Sequence, residues 1–243
     1  MKAVILAAGL SKRLRPLTDT TPKCLLDVNG KNFLQRTLDN LLACGIYDFI
    51  MVLGYRKDMI EKFVRENYPE IKITFLYNDN YSENNNSYSL WMTKDIAGDE
   101  ILLLDSDILF EKEIVSEVLS SAHGTCLALK KDVLDDEQIK VIADETGKVT
   151  EISKEAPIDK AIGESIGIEK ISGKFLKDVF DILDRKILTE KNVNEFYEKT
   201  FEEVISKNDA EKCMYCVDIS QYFCMEIDTI EDYESAKKLT LNF

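Results

Sequence analysis

Short apolar runs alternate with segments of helical periodicity in the first half of the chain, and this alternation most constrains the fold. Four runs have the length and composition of buried strands: residues 2–7, 48–53, 72–76 and 101–104. Between the first two, apolar residues from Phe33 to Leu42 recur at helical spacing before Gly45. Such alternation produces βαβ units, because a parallel strand needs a crossover connection. We predict an α/β fold, Rossmann-like, with helices flanking a mixed, mostly parallel sheet.

The second half of the chain has a different pattern. Residues 139–153 predict a hairpin that turns at Thr146-Gly147, and a short strand follows at 165–168. The remaining predicted elements are helices near 174–186 and 193–206, a strand at 222–227, and a last helix opened by Thr229 with Asp232 in a capping box. Since no repeat or linker interrupts the chain, we predict one domain over residues 1–243.

Charge and cysteine content exclude several classes of protein. The chain carries 31 Lys and Arg against 45 Asp and Glu, and this acidic balance argues against a nucleic-acid partner. No signal segment and no apolar run of about 20 residues is present, so we predict a soluble, cytoplasmic protein without a membrane partner. Six scattered cysteines fit a reducing compartment, and the C-x-x-C at 213–216 lacks the second ligand pair of a zinc site.

Basic residues nevertheless gather in the loop after the first strand. Lys12, Arg13, Arg15 and Lys23 follow Gly9, whose lack of a side chain permits close approach of a ligand to the backbone. In open parallel sheets, ligands bind at the carboxyl ends of the strands. The loop matches neither the Rossmann glycine pattern nor the Walker A pattern. Its residues alone leave two interpretations, a polyphosphate site or a solvated basic loop.

The complete loop pattern resembles a known signature. L-A-A-G-x-S-x-R-x-x-P-x-T runs from Leu6 to Thr18, and P-K follows at Pro22-Lys23. It is similar to the sugar-1-phosphate nucleotidylyltransferases, which implies the nucleotide-diphospho-sugar transferase type of fold. By that resemblance, residues about 1–130 form a nucleotide-binding half and about 131–243 an acceptor-binding half. Arg13 would hold the β- and γ-phosphates, and Lys23 would reach the α-phosphate. The other nucleotide contacts implied in this loop are Leu6, Ala7, Ala8, Gly9, Ser11 and Lys12.

Two carboxylate motifs indicate a metal. Asp105 and Asp107 end the apolar run at 101–104, and paired carboxylates beside a triphosphate suit Mg²⁺. Alone, this D-x-D is a weak signal, because an aspartate at a strand end is often a loop cap. The E-I-D-T at residues 226–229 resembles the closing motif of the same family. That resemblance implies Asp107 and Asp228 as Mg²⁺ ligands, supported by Asp105 and Glu226.

The asparagine-rich segment at 77–91 suggests how the base is recognised. Amide side chains can read a base edge by hydrogen bonding, although an ordinary polar turn has the same composition. N-N-x-Y-S-L from Asn85 to Leu90 resembles the CTP-dependent branch typified by bacterial phosphocholine cytidylyltransferases. The resemblance implies cytosine as the base, with Asn78, Asn85, Ser89 and Asp105 on the nucleotide side.

The acceptor side rests on the same resemblance. Lys154 and the G-E-S-x-G at 163–167 match the branch, with Lys154 as a phosphate contact and Glu164 as a partner for a cationic amine. Tyr215 and Glu226 complete the predicted acceptor residues. Cys224 stands where relatives often carry Trp, so an aromatic box for a quaternary ammonium would need other rings. The candidates are Tyr215, Tyr222, Phe223 and Trp91.

We therefore predict an Mg²⁺-dependent cytidylyltransferase that moves CMP from CTP to a small phosphorylated or phosphonate acceptor and releases pyrophosphate. Its predicted partners are CTP and that acceptor, in a monomer or homodimer. The predicted catalytic residues are Arg13, Lys23, Asp107 and Asp228. Three alternatives remain: a hexose-1-phosphate uridylyl- or thymidylyltransferase, a D-x-D glycosyltransferase, and a non-catalytic nucleotide-binding regulator.

Overall fold

A computed structural model describes residues 1–207 and 209–239. The strands are β1 (Lys2–Ala7), β2 (Asp27–Val28), β3 (Lys31–Asn32), β4 (Asp48–Leu53), β5 (Lys72–Tyr77), β6 (Glu100–Asp105), β7 (Ile108–Phe110), β8 (Cys126–Lys130), β9 (Lys140–Ala143), β10 (Val149–Ser153), β11 (Gly163–Ser172), β12 (Tyr215–Asp218) and β13 (Cys224–Glu226). The helices are α1 (Phe33–Ala43), α2 (Lys57–Asn67), α3 (Asn86–Trp91), α4 (Lys94–Ala97), α5 (Lys112–Ser120), α6 (Gly173–Asp184), α7 (Glu198–Ser206) and α8 (Ile230–Lys238).

The main sheet is mixed, as the sequence predicts. Its strand order is β10-β9-β11-β6-β1-β4-β5, with β8 beside β11 and β12 beside β8. Strand β1 runs parallel to β4 and β6, and β4 runs parallel to β5. Strand β11 is antiparallel to β6, β8 and β9, so it joins the parallel half to the second half of the chain. The predicted α/β fold, a mixed sheet flanked by helices, is confirmed.

Each face of the sheet is covered by its own set of helices. Alternate residues of β1 enter opposite cores because successive side chains of a strand point to opposite faces. Ala3, Ile5 and Ala7 belong to the core beneath α1, α2 and α5. Val4 and Leu6 belong to the core beneath α3, α4, α6 and α7. The sheet is therefore buried on both faces. A ligand can approach it where the parallel strands end.

The second half follows the predicted pattern, but strand β11 and helix α7 have different boundaries. The hairpin is present as β9 and β10, and Gly147 takes a positive φ of 80° in its turn. Strand β11 is longer than the predicted 165–168 because it pairs with three neighbours. The predicted helix at 193–206 begins only at Glu198, because the preceding backbone bonds to the asparagine-rich segment instead. There the Tyr197 amide donates to Asn86 Oδ1 at 2.9 Å.

A two-stranded ribbon lies outside the main sheet and carries the end of the chain back to β6. Strand β13 pairs antiparallel with β7, so that Glu226 lies opposite Ile108. Thr229 then begins α8 with a capping box, as predicted: its side chain accepts from the Asp232 amide, and the Asp232 carboxylate accepts in return. Beneath α8, Tyr233 and Ala236 pack with Leu14 and Phe33. This small third core fixes the approach of residues 226–229 to the main sheet.

All six cysteines are free thiols. Of the C-x-x-C pair, Cys216 lies in the edge strand β12 and Cys213 lies just before it. Within residues 1–207 and 209–239, no helix combines the length and the apolar character needed to cross a bilayer.

Candidate active site

A cleft of about 870 Å³ opens where β1 and β6 end. The two strands are in parallel register, with Leu6 opposite Asp105, so the loops that follow them share one edge of the sheet. Residues from the first loop, the asparagine-rich segment, β11, the start of α7 and β13 complete the walls. Sixteen of the predicted site residues line this cleft: Leu6, Ala7, Ala8, Gly9, Ser11, Arg13, Lys23, Asn78, Asn85, Ser89, Asp105, Asp107, Lys154, Glu164, Glu226 and Asp228.

Lys23 is the central cation of the cleft. Its side chain is only 7% exposed, and its Nζ lies 3.0 Å from Asp107 Oδ2 and 2.8 Å from Asp228 Oδ1. Burial alone would lower the pKa of Lys23, but the two carboxylates outweigh it and raise the pKa. The lysine is therefore a fixed positive charge, held by one short 3₁₀ turn at Lys23–Leu25.

The β7–β13 ribbon brings the two carboxylates together. Asp107 directly precedes β7, and Asp228 follows β13, and the Ile227 amide donates to the Asp107 carbonyl at 3.1 Å. The Asp228 amide in turn donates to Asp232 Oδ2 at 3.0 Å, so the capping box of α8 also positions this residue. Arg13 from the first loop forms an ion pair with the same Asp228 carboxylate. Two motifs far apart in sequence thus form one charged cluster.

Three carboxylates could hold a metal ion here. One ligand oxygen each from Asp107, Glu226 and Asp228 lies within 4.8 Å of the others. Burial, and then the charges of Asp107 and Asp228, raises the pKa of Glu226 to about 8. Burial opposes the ionisation of Asp228 too, but Lys23 and Arg13 outweigh it and lower its pKa. Hard oxygen donors in this number and spacing suit a divalent cation such as Mg²⁺, so the residues fit a metal.

The asparagine-rich segment forms a wall of interlocked amides. Asn78 Nδ2 donates to Asn84 Oδ1 at 2.8 Å and to Ser89 Oγ at 3.1 Å, and Asn84 Nδ2 donates back to Asn78 Oδ1 at 3.0 Å. Asn85 caps α3 by accepting from the Asn86 amide. Opposite this wall, a side chain at Gly54 would come within 2.6 Å of the Ala8 carbonyl. Because Gly54 has no side chain, the first loop lies close to this segment, and the two form a slot within the cleft.

A second cluster of carboxyl groups adjoins the first, because it includes Asp105, whose pKa is raised by burial and then by the nearby charge of Asp107. The Tyr197 hydroxyl donates to Asp105 Oδ2 at 3.0 Å and lies 3.4 Å from Glu169 Oε2, while Ser165 Oγ donates to Glu169 Oε1 at 3.0 Å. Gly167, with φ of 71°, lies so close that a side chain there would meet Asp105 Oδ2 at 2.7 Å. Burial is the main cause that raises the pKa values of Asp105 and Glu169 well above their ordinary range.

Lys154 and Glu164 lie on this second side, as the sequence predicts. Lys154 Nζ lies 3.9 Å from Glu137 Oε2 and 5.1 Å from the centroid of the Phe196 ring. Glu164 is opposite Lys130 across the β8–β11 pair, and burial raises its pKa although Lys130 opposes the change. Glu164 thus already has a cation of the protein beside it.

Two predicted site residues do not line the cleft. Lys12 is exposed on the outer side of the first loop, because the left-handed Ser11 (φ 47°) turns the chain there. Tyr215 lies in edge strand β12, where its ring stacks on His123 at 3.6 Å. The prediction that Tyr215 contacts the acceptor is therefore wrong.

The other candidates for an aromatic box are also held elsewhere. Trp91 Nε1 donates to Asp184, the Tyr222 hydroxyl donates to Glu117, and Phe223 packs against the core beneath α8. None of these three rings lines the cleft.

Three residues of the second cluster were missed from the sequence: Glu169, Tyr197 and Glu198. Glu198 lines the cleft with its side chain 6% exposed, and burial raises its pKa to about 7. The only signal in the sequence was the acidic F-Y-E at 196–198, placed inside a predicted helix.

Comparison with known proteins assigns this chain to a family. The Nucleotidyl transferase family matches residues 2–238. The chain belongs to the nucleotidyl transferase family. Choline-phosphate cytidylyltransferase of Streptococcus pneumoniae is 26% identical over 242 residues, which cover 100% of this chain and 99% of that protein. CTP:phosphoglutamine cytidylyltransferase of Campylobacter jejuni is 27% identical over 258 residues, covering 96% and 98%.

A solved structure has the same architecture. That of CTP:phosphocholine cytidylyltransferase from Streptococcus pneumoniae superposes with a TM-score of 0.76 at 25% sequence identity, over 98% of this chain and 97% of the other. The cleft described above is therefore the candidate active site of a nucleotidyltransferase.

Proposed function

We propose that this nucleotidyltransferase transfers CMP from CTP to a small phosphorylated or phosphonate acceptor and releases pyrophosphate. One observation carries the proposal: Lys23 is buried between Asp107 and Asp228, which places a fixed cation within an acidic cluster at the end of β6. A permanent cation next to carboxylates that fit a divalent ion is the arrangement that phosphoryl transfer requires.

The reaction needs no general base. An acceptor phosphate or phosphonate is already ionised at neutral pH, so its oxygen can attack the α-phosphorus of CTP directly. One P–O bond forms, the bond from the α-phosphorus to the bridging oxygen breaks, and pyrophosphate takes the electron pair. Lys23 stabilises the charge that develops on the α-phosphate, and Arg13 binds the β- and γ-phosphates. His123, the one histidine of the chain, stacks on Tyr215 away from the cleft and takes no part.

Mg²⁺ is the proposed cofactor. Asp107 and Asp228 would hold it, with Glu226 beside them, since their oxygens converge within 4.8 Å. When bound, the ion supplies neutralisation of triphosphate charge. Lys23 contacts both of the residues that would hold the ion, so its ammonium lies beside the proposed metal site.

Cytosine is the proposed base. The support is the interlocked wall of Asn78, Asn84 and Ser89, whose amides and hydroxyl face the slot beside the first loop. Two relatives that align over nearly their whole length are named as cytidylyltransferases.

The test is pyrophosphate release by the full chain with Mg²⁺. CTP, UTP, dTTP, ATP and GTP are each crossed with phosphocholine, phosphoethanolamine, 2-aminoethylphosphonate and hexose 1-phosphates. We expect release with CTP and a small phospho-acceptor only, and an Asp107→Asn variant should lose it by about 10²-fold or more.

Release with UTP or dTTP and a hexose phosphate would contradict the cytidylyl assignment. Nucleotide binding without any turnover would favour the alternative of a non-catalytic nucleotide-binding regulator. Full activity of Asp107→Asn would remove the proposed site from the chemistry.

A further inference from the structure

Glu198 is a buried carboxyl group, and one of its two oxygens lacks a hydrogen-bond partner. It begins α7 and lines the cleft, and its Oε2 has no partner in the described part of the chain. Buried polar atoms are normally paired, because leaving one unpaired costs as much as its desolvation. An unpaired carboxylate oxygen in a substrate cleft therefore indicates a ligand group that donates hydrogen bonds.

The surroundings of Glu198 are mainly acidic. Asp105 and Glu169 are close enough for Glu198 to raise their pKa values, and Tyr197 packs between them. The cation that acts on Glu198 is Lys154, which already lies over the Phe196 ring and beside Glu137. Burial raises the pKa of Glu198 to about 7, although its own backbone amide and Lys154 oppose the change. Among acidic neighbours, a cation that donates hydrogen bonds is the partner that suits the free oxygen best.

A metal ion is a poor candidate for this partner. In residues 1–207 and 209–239, the acidic side chains whose oxygens converge as ligands are Asp107, Glu226 and Asp228, in the first cluster. Asp105 and Glu169 instead accept from Tyr197 and Ser165. A cation with its own N–H donors fits the single free oxygen better.

A quaternary ammonium also fits poorly. Such a group has no N–H donor and binds through aromatic faces. The aromatic residues that line the described cleft are Tyr81 and Phe196. Tyr81 packs edge-on against Tyr55 on the nucleotide side, and the Phe196 ring already has the Lys154 ammonium above it at 5.1 Å. A trimethylammonium would find no aromatic box and would leave Glu198 Oε2 unpaired.

We propose that Glu198 binds a protonated primary amine of the acceptor, so that the acceptor is a short aminoalkyl phosphate or phosphonate. Lys154 lines the same cleft and supplies a cation for the anionic end of such a molecule. This inference rests on the proposed function, because it concerns the acceptor of the same reaction. It moves amine recognition from Glu164, which has Lys130 beside it, to Glu198.

The test compares acceptors that differ only at the amine. Phosphoethanolamine is paired with n-propyl phosphate, and 2-aminoethylphosphonate with n-propylphosphonate, because a methyl group replaces the ammonium in each pair. Phosphocholine supplies the quaternary case. With CTP and Mg²⁺, we expect kcat/KM for at least one amine to exceed that of its methyl isostere by about 10- to 100-fold, the range of a charge-assisted hydrogen bond. Phosphocholine should lie below that amine.

The variant Glu198→Gln should remove most of this preference and leave the KM for CTP unchanged. Its matched control is Glu202→Gln, one turn along α7, where the carboxylate binds Lys199 at 3.1 Å and does not line the cleft. The control should keep the preference. Thermal unfolding of both variants checks the fold, and Glu198→Gln should be at least as stable as the parent at pH 8.

The outcomes separate the two proposals. No pyrophosphate release from CTP with any acceptor overturns the proposed function and this inference with it. Release with a methyl isostere or phosphocholine equal to that with the amines overturns this inference alone. An amine preference that survives in Glu198→Gln also overturns it, because the recognising group must then be another residue.

Discussion

The two carboxyl clusters of the cleft, called here its first end and its second end, differ in how their negative charges are compensated. At the first end, Lys23 and Arg13 neutralise Asp228, and Lys23 also pairs with Asp107. At the second end, Asp105, Glu169 and Glu198 are gathered with hydroxyl donors and no ion pair of their own among the described residues.

This difference separates a self-compensated site from one that depends on its ligand. At the first end Asp107 and Asp228 already have cation partners, although burial and their charges raise the pKa of Glu226 beside them to about 8. The second end is destabilised by buried carboxyl groups, so a cationic ligand gains affinity by relieving that cost. Three predictions test this contrast, in order of decreasing effect.

The largest effect is expected at the paired end. Lys23→Met should lower kcat/KM for CTP by about 10²- to 10³-fold, because a fixed cation at the reacting phosphate is lost. The variant also leaves Asp107 and Asp228 without their ammonium, so Mg²⁺ should raise its unfolding temperature more than it raises that of the parent.

Lys62→Met, which removes an exposed lysine of α2 whose side chain is 72% exposed, is the control for this prediction. It should match the parent in both assays. A Lys23→Met enzyme with a near-normal rate would show that the paired end is structural only.

The second prediction concerns stability against pH. The folded-state pKa of Glu198, about 7, lies above its ordinary value of 4.5. Between these values the folded chain keeps a proton that the unfolded chain has released, so this group lowers stability as pH rises from 4.5 to 7 and has no further effect above. Glu198→Gln lacks the titration and should gain on the order of 3 kcal/mol over the parent at pH 8 but only about 1 kcal/mol at pH 5.

Urea unfolding at both pH values measures this difference. In addition to burial, the charge of Glu198 raises the pKa values of Asp105 and Glu169, so the parent-to-variant difference reports Glu198 together with its coupling to these two groups. Lys154 also faces Glu198. If the difference in unfolding free energy were the same at pH 5 and pH 8, the pKa of Glu198 would not be raised in the folded protein.

The smallest effect is expected for the hydroxyl that holds the unpaired end together. Tyr197→Phe removes the donor to Asp105 and should cost about 1–3 kcal/mol, because two buried carboxyl groups lose their shared partner. Tyr222→Phe loses a bond to Glu117 at the surface and should be nearly neutral. Equal losses in the two variants would contradict a special role for Tyr197.

The paired end could be predicted from the sequence, and the unpaired end largely could not. Lys23, Asp107 and Asp228 belong to short motifs that flank strand ends, and a parallel sheet brings such ends to one edge. Glu198 carries no motif of that kind. Its burial and its free oxygen arise from the packing of α7 against β10, which local sequence does not encode.

Tyr215 failed as a prediction for a related reason. Its strand could be placed along the chain, but its neighbours depend on the pairing of β12 with β8 at the sheet edge. The helix predicted from residue 193 begins later in the chain, because the Tyr197 amide donates to the Asn86 side chain. In each case a contact between distant segments decided the outcome.

The bond between Lys23 and Asp228 spans 205 residues. At translation rates of about 5–20 residues per second, Lys23 is synthesised roughly 10–40 s before its second carboxylate exists. Strand β13 must then find β7 across a long chain separation, a step whose loop-closure entropy delays it further. The charge network is thus among the last parts of the cleft to form, and a nascent chain that already has its β1 and β6 still lacks the pairing of Lys23 with Asp228.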